Sequence, residues 1–171
     1  MNPWVALIGH GDDGRSRLAS ELAERFRRQG VRVGGFVHHR LDAADAHRGH
    51  DIEDLRTRER APLTRLSDAA ELCDYAFAPG IFERVRAWTT HTPVQLAFVE
   101  LGKIECRQRG HWPAMLDLMS GPPTLVVACL RPPLLAPIVL ALPDPAAFLE
   151  LPAPPQELDA FAAAITDLMP V

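Results

Sequence analysis

The chain has 171 residues, of which 47% are hydrophobic, and a formal net charge of −4, with a pI near 5.9 and a mean hydropathy of −0.03. One domain spanning residues 1–171 with a full core is therefore expected, and there is no strong case for a nucleic-acid partner, which would need a basic face. The apolar stretch Thr124–Leu142 is broken by Arg131, Pro132, Pro133 and Pro137, which speaks against a membrane span. Met1 leads into an apolar run without a basic segment and long apolar core, so no export signal is read and a cytoplasmic location is expected. Cys73, Cys106 and Cys129 lack paired metal spacing and are read as reduced, mostly buried thiols.

Taken in chain order, Trp4–Ile8 reads as a strand and Arg15–Gln29 as an amphipathic helix, with Leu18, Leu22 and Phe26 at every fourth position and Gly30 as its C-terminal cap. Val31–Val37 is the next strand. The polar segment Leu41–Gly49 separates it from His50–Leu55, which suggests a hairpin-like excursion, and Arg56–Arg65 should supply a turn and a short edge strand. Ser67–Tyr75 is ambiguous, resembling a helix start but short, whereas Gly80–Trp88 has helical spacing. Val94–Glu100 is a central strand ending in an acid, Trp112–Met119 a short helix, and Thr124–Leu130 an apolar strand suited to burial on both faces. Ala146–Leu151 is a candidate last strand, and Gln156–Met169 closes the chain as a helix. The alternation indicates an α/β sheet, largely parallel, with ligands at the C-terminal ends of its strands.

Between the first strand and helix lies Gly9-His10-Gly11-Asp12-Asp13-Gly14-Arg15-Ser16, which has the spacing of a phosphate-binding loop, G-x-x-x-x-G-K-[ST], with arginine in place of lysine. In such loops backbone N–H groups and the helix N-terminus face phosphate oxygens, while the lysine and the hydroxyl handle the outer phosphates and Mg²⁺. A planar guanidinium is a poor substitute for a compact ammonium in a tight cradle, and Asp12 and Asp13 add negative charge beside a polyanion. The chain has 17 arginines and one lysine, Lys103, so Arg15 also fits a general preference for arginine.

Three segments together carry a family resemblance: Ala6–Gly35, Val37–Leu63 with its RGHDIEDL and RERAPL stretches, and Phe98–Glu105, FVELGKIE. They resemble, in matching order over roughly the whole chain, the RecA-like P-loop nucleoside-triphosphatase family, whose members combine a phosphate loop, a V-G-G-F strand and a D-E-I-G-K-M-E element. The resemblance implies a three-layer α/β fold with a mostly parallel sheet and a β-hairpin excursion, and hydrolysis of nucleoside triphosphates with Mg²⁺ and broad base tolerance. Two departures bear on that activity. Val99 stands where the family has its magnesium-holding aspartate, and Glu100 is not expected to replace it, because adjacent strand residues point to opposite faces. Arg15 stands where the lysine belongs.

The reading is a nucleotide- or oxyanion-binding protein with weak or absent hydrolysis; the alternative is an active Mg²⁺-dependent triphosphatase. Gly9, Gly11, Gly14, Arg15 and Ser16 are the candidate phosphate-binding residues, and Ser16 the candidate Mg²⁺ contact. Glu100 either orients a water or pairs with a nearby arginine. Lys103, after the central strand, is a candidate phosphate neutraliser, and Arg131, ending the following strand, either meets phosphates or stays on the surface. His38, His39, His47 and His50 suit a solvated or base-contacting hairpin better than a metal site.

Overall fold

The computed structural model describes residues 1–43, 46–66 and 75–171. Eight strands are described, β1 (Trp4–Ile8), β2 (Val33–Ala43), β3 (Ala46–Asp54), β4 (Arg60–Leu66), β5 (Tyr75–Phe77), β6 (Leu96–Glu100), β7 (Leu125–Leu130) and β8 (Phe148–Glu150). Five α-helices accompany them: α1 (Arg15–Arg28), α2 (Ile81–Thr90), α3 (Trp112–Ser120), α4 (Leu135–Val139) and α5 (Pro155–Leu168). The strands form one sheet in the order β5-β4-β3-β2-β6-β7-β1-β8. The half from β2 to β8 is parallel and the half from β2 to β5 antiparallel.

Strand alternation divides the core into two layers. Val5, Leu7, Leu96, Phe98, Val127 and Cys129 face α1 and α5, meeting Ala19, Leu22, Phe26, Phe161 and Ile165. Ala6, Ile8, Ala97, Val99, Val126, Ala128 and Leu130 face the opposite way, against α2, α3 and α4. Helices thus cover both faces of the middle of the parallel half, which is why β1 and β7 are apolar and buried throughout. The chain leaves β1 toward one face and β6 and β7 toward the other, so the change of face falls at the C-terminal edge of the sheet.

The three-layer α/β fold is as expected, with three local corrections. The excursion is a three-stranded antiparallel extension, not a hairpin alone, because β5 adds to β4. Arg60–Leu66 is therefore interior, and β5 is the outermost strand among the described residues. The suggested helix start at Ser67–Tyr75 lies outside the described residues, except that Tyr75 opens β5. Residues 134–142 supply α4 and core contacts from Leu134, Ile138 and Leu142.

Gly35 is the pivot between the two halves. It is the last residue of β2 in parallel register with β6, and from Phe36 onward β2 pairs antiparallel with β3. Its φ is +89°, and a Cβ there would lie 1.9 Å from the Phe98 carbonyl oxygen. The V-G-G-F strand element thus meets a steric requirement of the β2–β6 junction.

Gly35→Ala and Gly30→Ala separate steric exclusion from backbone strain, since Gly30 also has a positive φ of +83° but no atom within 4 Å of its absent Cβ. We expect Gly30→Ala to cost about 1 kcal/mol and Gly35→Ala about 3 kcal/mol or more in urea denaturation. Equal losses would show that the Phe98 backbone yields.

Candidate functional site

The loop after β1 is a tight turn. Gly11–Asp13 form a short 3₁₀ turn, Gly14 takes the left-handed conformation at φ 74°, and α1 starts at Arg15. The Asp13 N–H donates to the His10 carbonyl at 3.1 Å, and the His10 N–H donates to Asp13 Oδ2 at 2.8 Å. The Asp13 carboxylate therefore folds back onto an amide of its own loop. The first helical bond at this end runs from the Leu18 N–H to the Gly14 carbonyl, so the amides of Arg15, Ser16 and Arg17 precede the helical ladder and mark its electropositive end.

Arg15 points inward. Its Nη1 donates to the Gly9 carbonyl at 2.5 Å, its Nη2 donates to Glu100 Oε1 at 2.7 Å, and the residue is 6% exposed. Ser16 Oγ donates to the same carboxylate, at 2.8 Å from Oε1 and 3.0 Å from Oε2. The backbone N–H of His38 completes the set, donating to Glu100 Oε2 at 2.7 Å. Glu100 is 3% exposed. Burial pushes its carboxyl up, but His38 and Arg15 outweigh that and hold it below the usual range. Because burial also drives His38 toward its neutral form, Arg15 is the cation that persists at neutral pH.

Strand alternation holds at the end of β6 and sends residues 99 and 100 to opposite faces, as expected. Val99 is fully buried in the layer of α2, α3 and α4, whereas Glu100 faces α1 and takes the Ser16 hydroxyl. Of the two readings of Glu100, a water-orienting acid or an acid paired with a nearby arginine, the geometry shows the pairing, with Arg15.

Behind Glu100 lies a ring cluster. His111, just before α3, packs at tilted or edge-on angles against Phe36 at 4.5 Å, Phe82 at 5.0 Å and His38 at 5.6 Å between centroids. Its two ring nitrogens and His38 Nε2 have no hydrogen-bond partner among the described residues. Burial, with His38 alongside, holds the His111 imidazole well below its ordinary value. Glu105 clamps the turn leading to it, accepting from the Gly102 N–H at 2.7 Å and the His111 N–H at 2.8 Å.

Of the sequence-derived candidates, Gly9, Arg15, Ser16 and Glu100 are joined by hydrogen bonds, and Gly14 sets the helix start. Gly11 lies in the turn with open space about it. Lys103 and Arg131 are exposed and make no hydrogen bond or ion pair with those residues among the described ones. Both follow the C-terminal ends of strands, and the Gly9 N–H donates to the carbonyl of Leu130, next to Arg131. His38 and His39 face opposite sides: His38 joins the ring cluster, while His39 Nε2 lies 2.6 Å from buried Glu53, which also meets Arg58 and Arg60. The side chain of His47 lies outside the described residues. Among the described residues no group of three or more His, Cys, Asp or Glu is placed to hold a metal. Sequence reasoning missed the His38 amide as a Glu100 donor and missed His111; only the pairing of β2 with β6 would have shown the former.

A parallel sheet with helices on both faces, and a glycine turn opening α1 at its C-terminal edge, defines a P-loop NTPase-type α/β fold. Residues 5–129 match the family described as "Protein of unknown function (DUF2478)", and the chain belongs to that family. The matched span includes the loop, Glu100 and Lys103 but ends before Arg131. In fold the chain is similar to a human cancer-related nucleoside triphosphatase, with a TM-score of 0.72, 20% identity and 96% of each chain covered. It is also similar to THEP1 from the hyperthermophile Aquifex aeolicus, with a TM-score of 0.62 and 19% identity over 98% of this chain and 99% of that one. No curated protein matches the sequence.

Removing one partner of a buried ion pair leaves the other charge uncompensated, so Arg15→Ala is expected to destabilise the fold by about 3–5 kcal/mol. Arg15→Ala/Glu100→Ala should be more stable than Arg15→Ala alone in chemical denaturation; a double variant at least as unstable would show that the pair contributes by packing rather than charge.

Stability should also fall on acidification. His38 and His111 are held neutral in the folded chain, so the unfolded chain binds more protons once pH drops below the ordinary imidazole value of about 6.5. Their contribution is present above that pH and is lost as pH falls toward the depressed folded values, by up to about 1.4 kcal/mol per pH unit per histidine. Glu100, held low, loses stability in the same direction, at lower pH, whereas Glu105, pushed up by burial, has the opposite sign. The His111 share is therefore read as the difference between wild type and His111→Phe across urea titrations at several pH values. An unchanged slope in the variant would exclude His111 as a source.

Proposed function

We propose that this protein binds a nucleotide or a related phosphate oxyanion at the loop Gly9–Ser16 and hydrolyses it slowly or not at all. The observation that carries the reading is the closed set on Glu100. The acid that would orient a water holds Arg15, Ser16 and the His38 amide instead, while the helix N-terminus beside it stays available to an anion. Gly11 and Gly14 let the backbone approach a phosphate, and Lys103 and Arg131, exposed after β6 and β7, supply cations at the same edge of the sheet that have no ion pair among the described residues. A triphosphatase needs these charged groups free to act on a transferring phosphoryl group.

The resemblance also implies Mg²⁺ with a nucleoside triphosphate, and the donor set fits this poorly. Mg²⁺ requires oxygen ligands in near-octahedral array, normally including a carboxylate. Here the Ser16 hydroxyl and the Glu100 carboxylate are bonded to each other, a guanidinium sits 2.7 Å from that carboxylate, and residue 99 is a valine in the other layer. The absence of transmembrane-length apolar helices among the described residues is compatible with a small-molecule ligand reached from water.

Calorimetric titration with ATP, GTP and inorganic phosphate, followed by phosphate release on the same sample, tests the reading. Binding with little or no release is the expected result. Release that disappears in Glu100→Gln would establish the active triphosphatase instead, and absence of binding to every probe would reject the loop as an anion site.

A further inference from the structure

Resting on that reading, we infer that the loop takes its phosphoryl ligand without a divalent cation, because the Arg15 guanidinium holds the place beside Glu100 and Ser16 that a metal would need. The argument starts from what Glu100 lacks. In the layer facing α1 it is the carboxylate in contact with the loop helix, and its two oxygens already receive Arg15 Nη2, Ser16 Oγ and the His38 N–H. A divalent ion entering there would stand beside a guanidinium within a few ångströms, a like-charge contact in a poorly screened site. The alternative carboxylate of the loop with a described side chain, Asp13, is held by the His10 amide.

Arg15 is fixed in this place by more than charge. One arm of its fork reaches the Gly9 carbonyl and the other Glu100, a planar two-point arrangement that an ammonium cannot reproduce. Its Nε is buried without a partner among the described residues, leaving one donor of the fork uncommitted next to the loop helix. Displacing the guanidinium in favour of a metal would strand a buried charge, so the pair resists exchange. The paired charges cancel, and the attraction left for a ligand comes from the α1 amides and from exposed Arg17, Lys103 and Arg131. With Asp12 and Asp13 in the same turn, that attraction suits a phosphate group of low charge better than a triphosphate.

The test compares calorimetric titrations of the wild-type chain with inorganic phosphate, AMP, ADP and ATP, each in EDTA and in Mg²⁺. Dissociation constants within about twofold between the two conditions, tightest for a mono- or diphosphate, are expected. Binding that appears only with Mg²⁺, or tightens about tenfold or more with it, would overturn the inference while leaving the proposed function standing. No binding of any probe in either condition would overturn both. In Arg15→Lys, checked for folding by its melting curve, the Glu100–Ser16 oxygens are released from the guanidinium, and a Mg²⁺ dependence should emerge; a variant as indifferent to Mg²⁺ as the wild type would show that Arg15 is not what excludes the metal.

Discussion

A carboxylate at the end of a buried strand has to be given donors, and Glu100 draws its donors from three separate pieces of the chain. Arg15 and Ser16 come from the helix after β1, and the His38 amide comes from β2, the neighbour of β6 in the sheet. Desolvation opposes ionisation of this group, and the surrounding cation and N–H donors reverse the balance. The carboxylate consequently ties the loop to the central strand and to the strand where the sheet changes from parallel to antiparallel. The direction of Arg15 and the approach of β2 at His38 both meet at this one carboxylate.

Much of the fold was legible because burial imposes periodicity. β1, α1, β7 and α5 read directly from apolar spacing, since each has one neighbour layer or two and the pattern follows. β5 was not legible: three residues at a sheet margin carry too little pattern, and its presence turned an expected edge strand into an interior one. β2 ran further than Val37 because residues 38–43, though mostly polar, are paired with β3 along their length. A strand held by backbone pairing with only partial burial does not announce itself in hydropathy.

The site was legible in its membership and not in its connections. Spacing pointed to Gly9, Gly14, Arg15 and Ser16, because a glycine turn between a strand and an amphipathic helix has few other readings, whereas Glu100 came from the family resemblance. Which face Glu100 takes depends on the register of β6 against β2 and β7, and register is a property of the sheet rather than of the strand. Parity told in the sequence that residues 99 and 100 take opposite faces, but not which partners each would meet. His111 escaped notice for a related reason: its significance comes from Phe36, Phe82 and His38, residues distant in sequence that the topology brings around it.

The two departures from the phosphate-loop pattern that look like separate losses in the sequence form one coherent unit in the structure. Valine at 99 joins Ala97 and Leu101 in an apolar layer, where a carboxylate would need partners that the surrounding aliphatic side chains cannot offer. With that acid gone, Glu100 is left as the strand's anion on the loop side, and a buried anion of this kind calls for a cation that can stay in place. Arginine meets the demand better than lysine, since its fork satisfies Glu100 and the Gly9 carbonyl together. A lysine at 15 would give a shorter-reaching point charge and leave one of those acceptors without its donor. Restoring either residue of the pattern alone would therefore unbalance the site: an aspartate at 99 would be buried without a partner, and a lysine at 15 would loosen Glu100. The two positions are thus consistent with each other, an apolar side chain in the apolar layer and an arginine whose fork holds the carboxylate on the loop side.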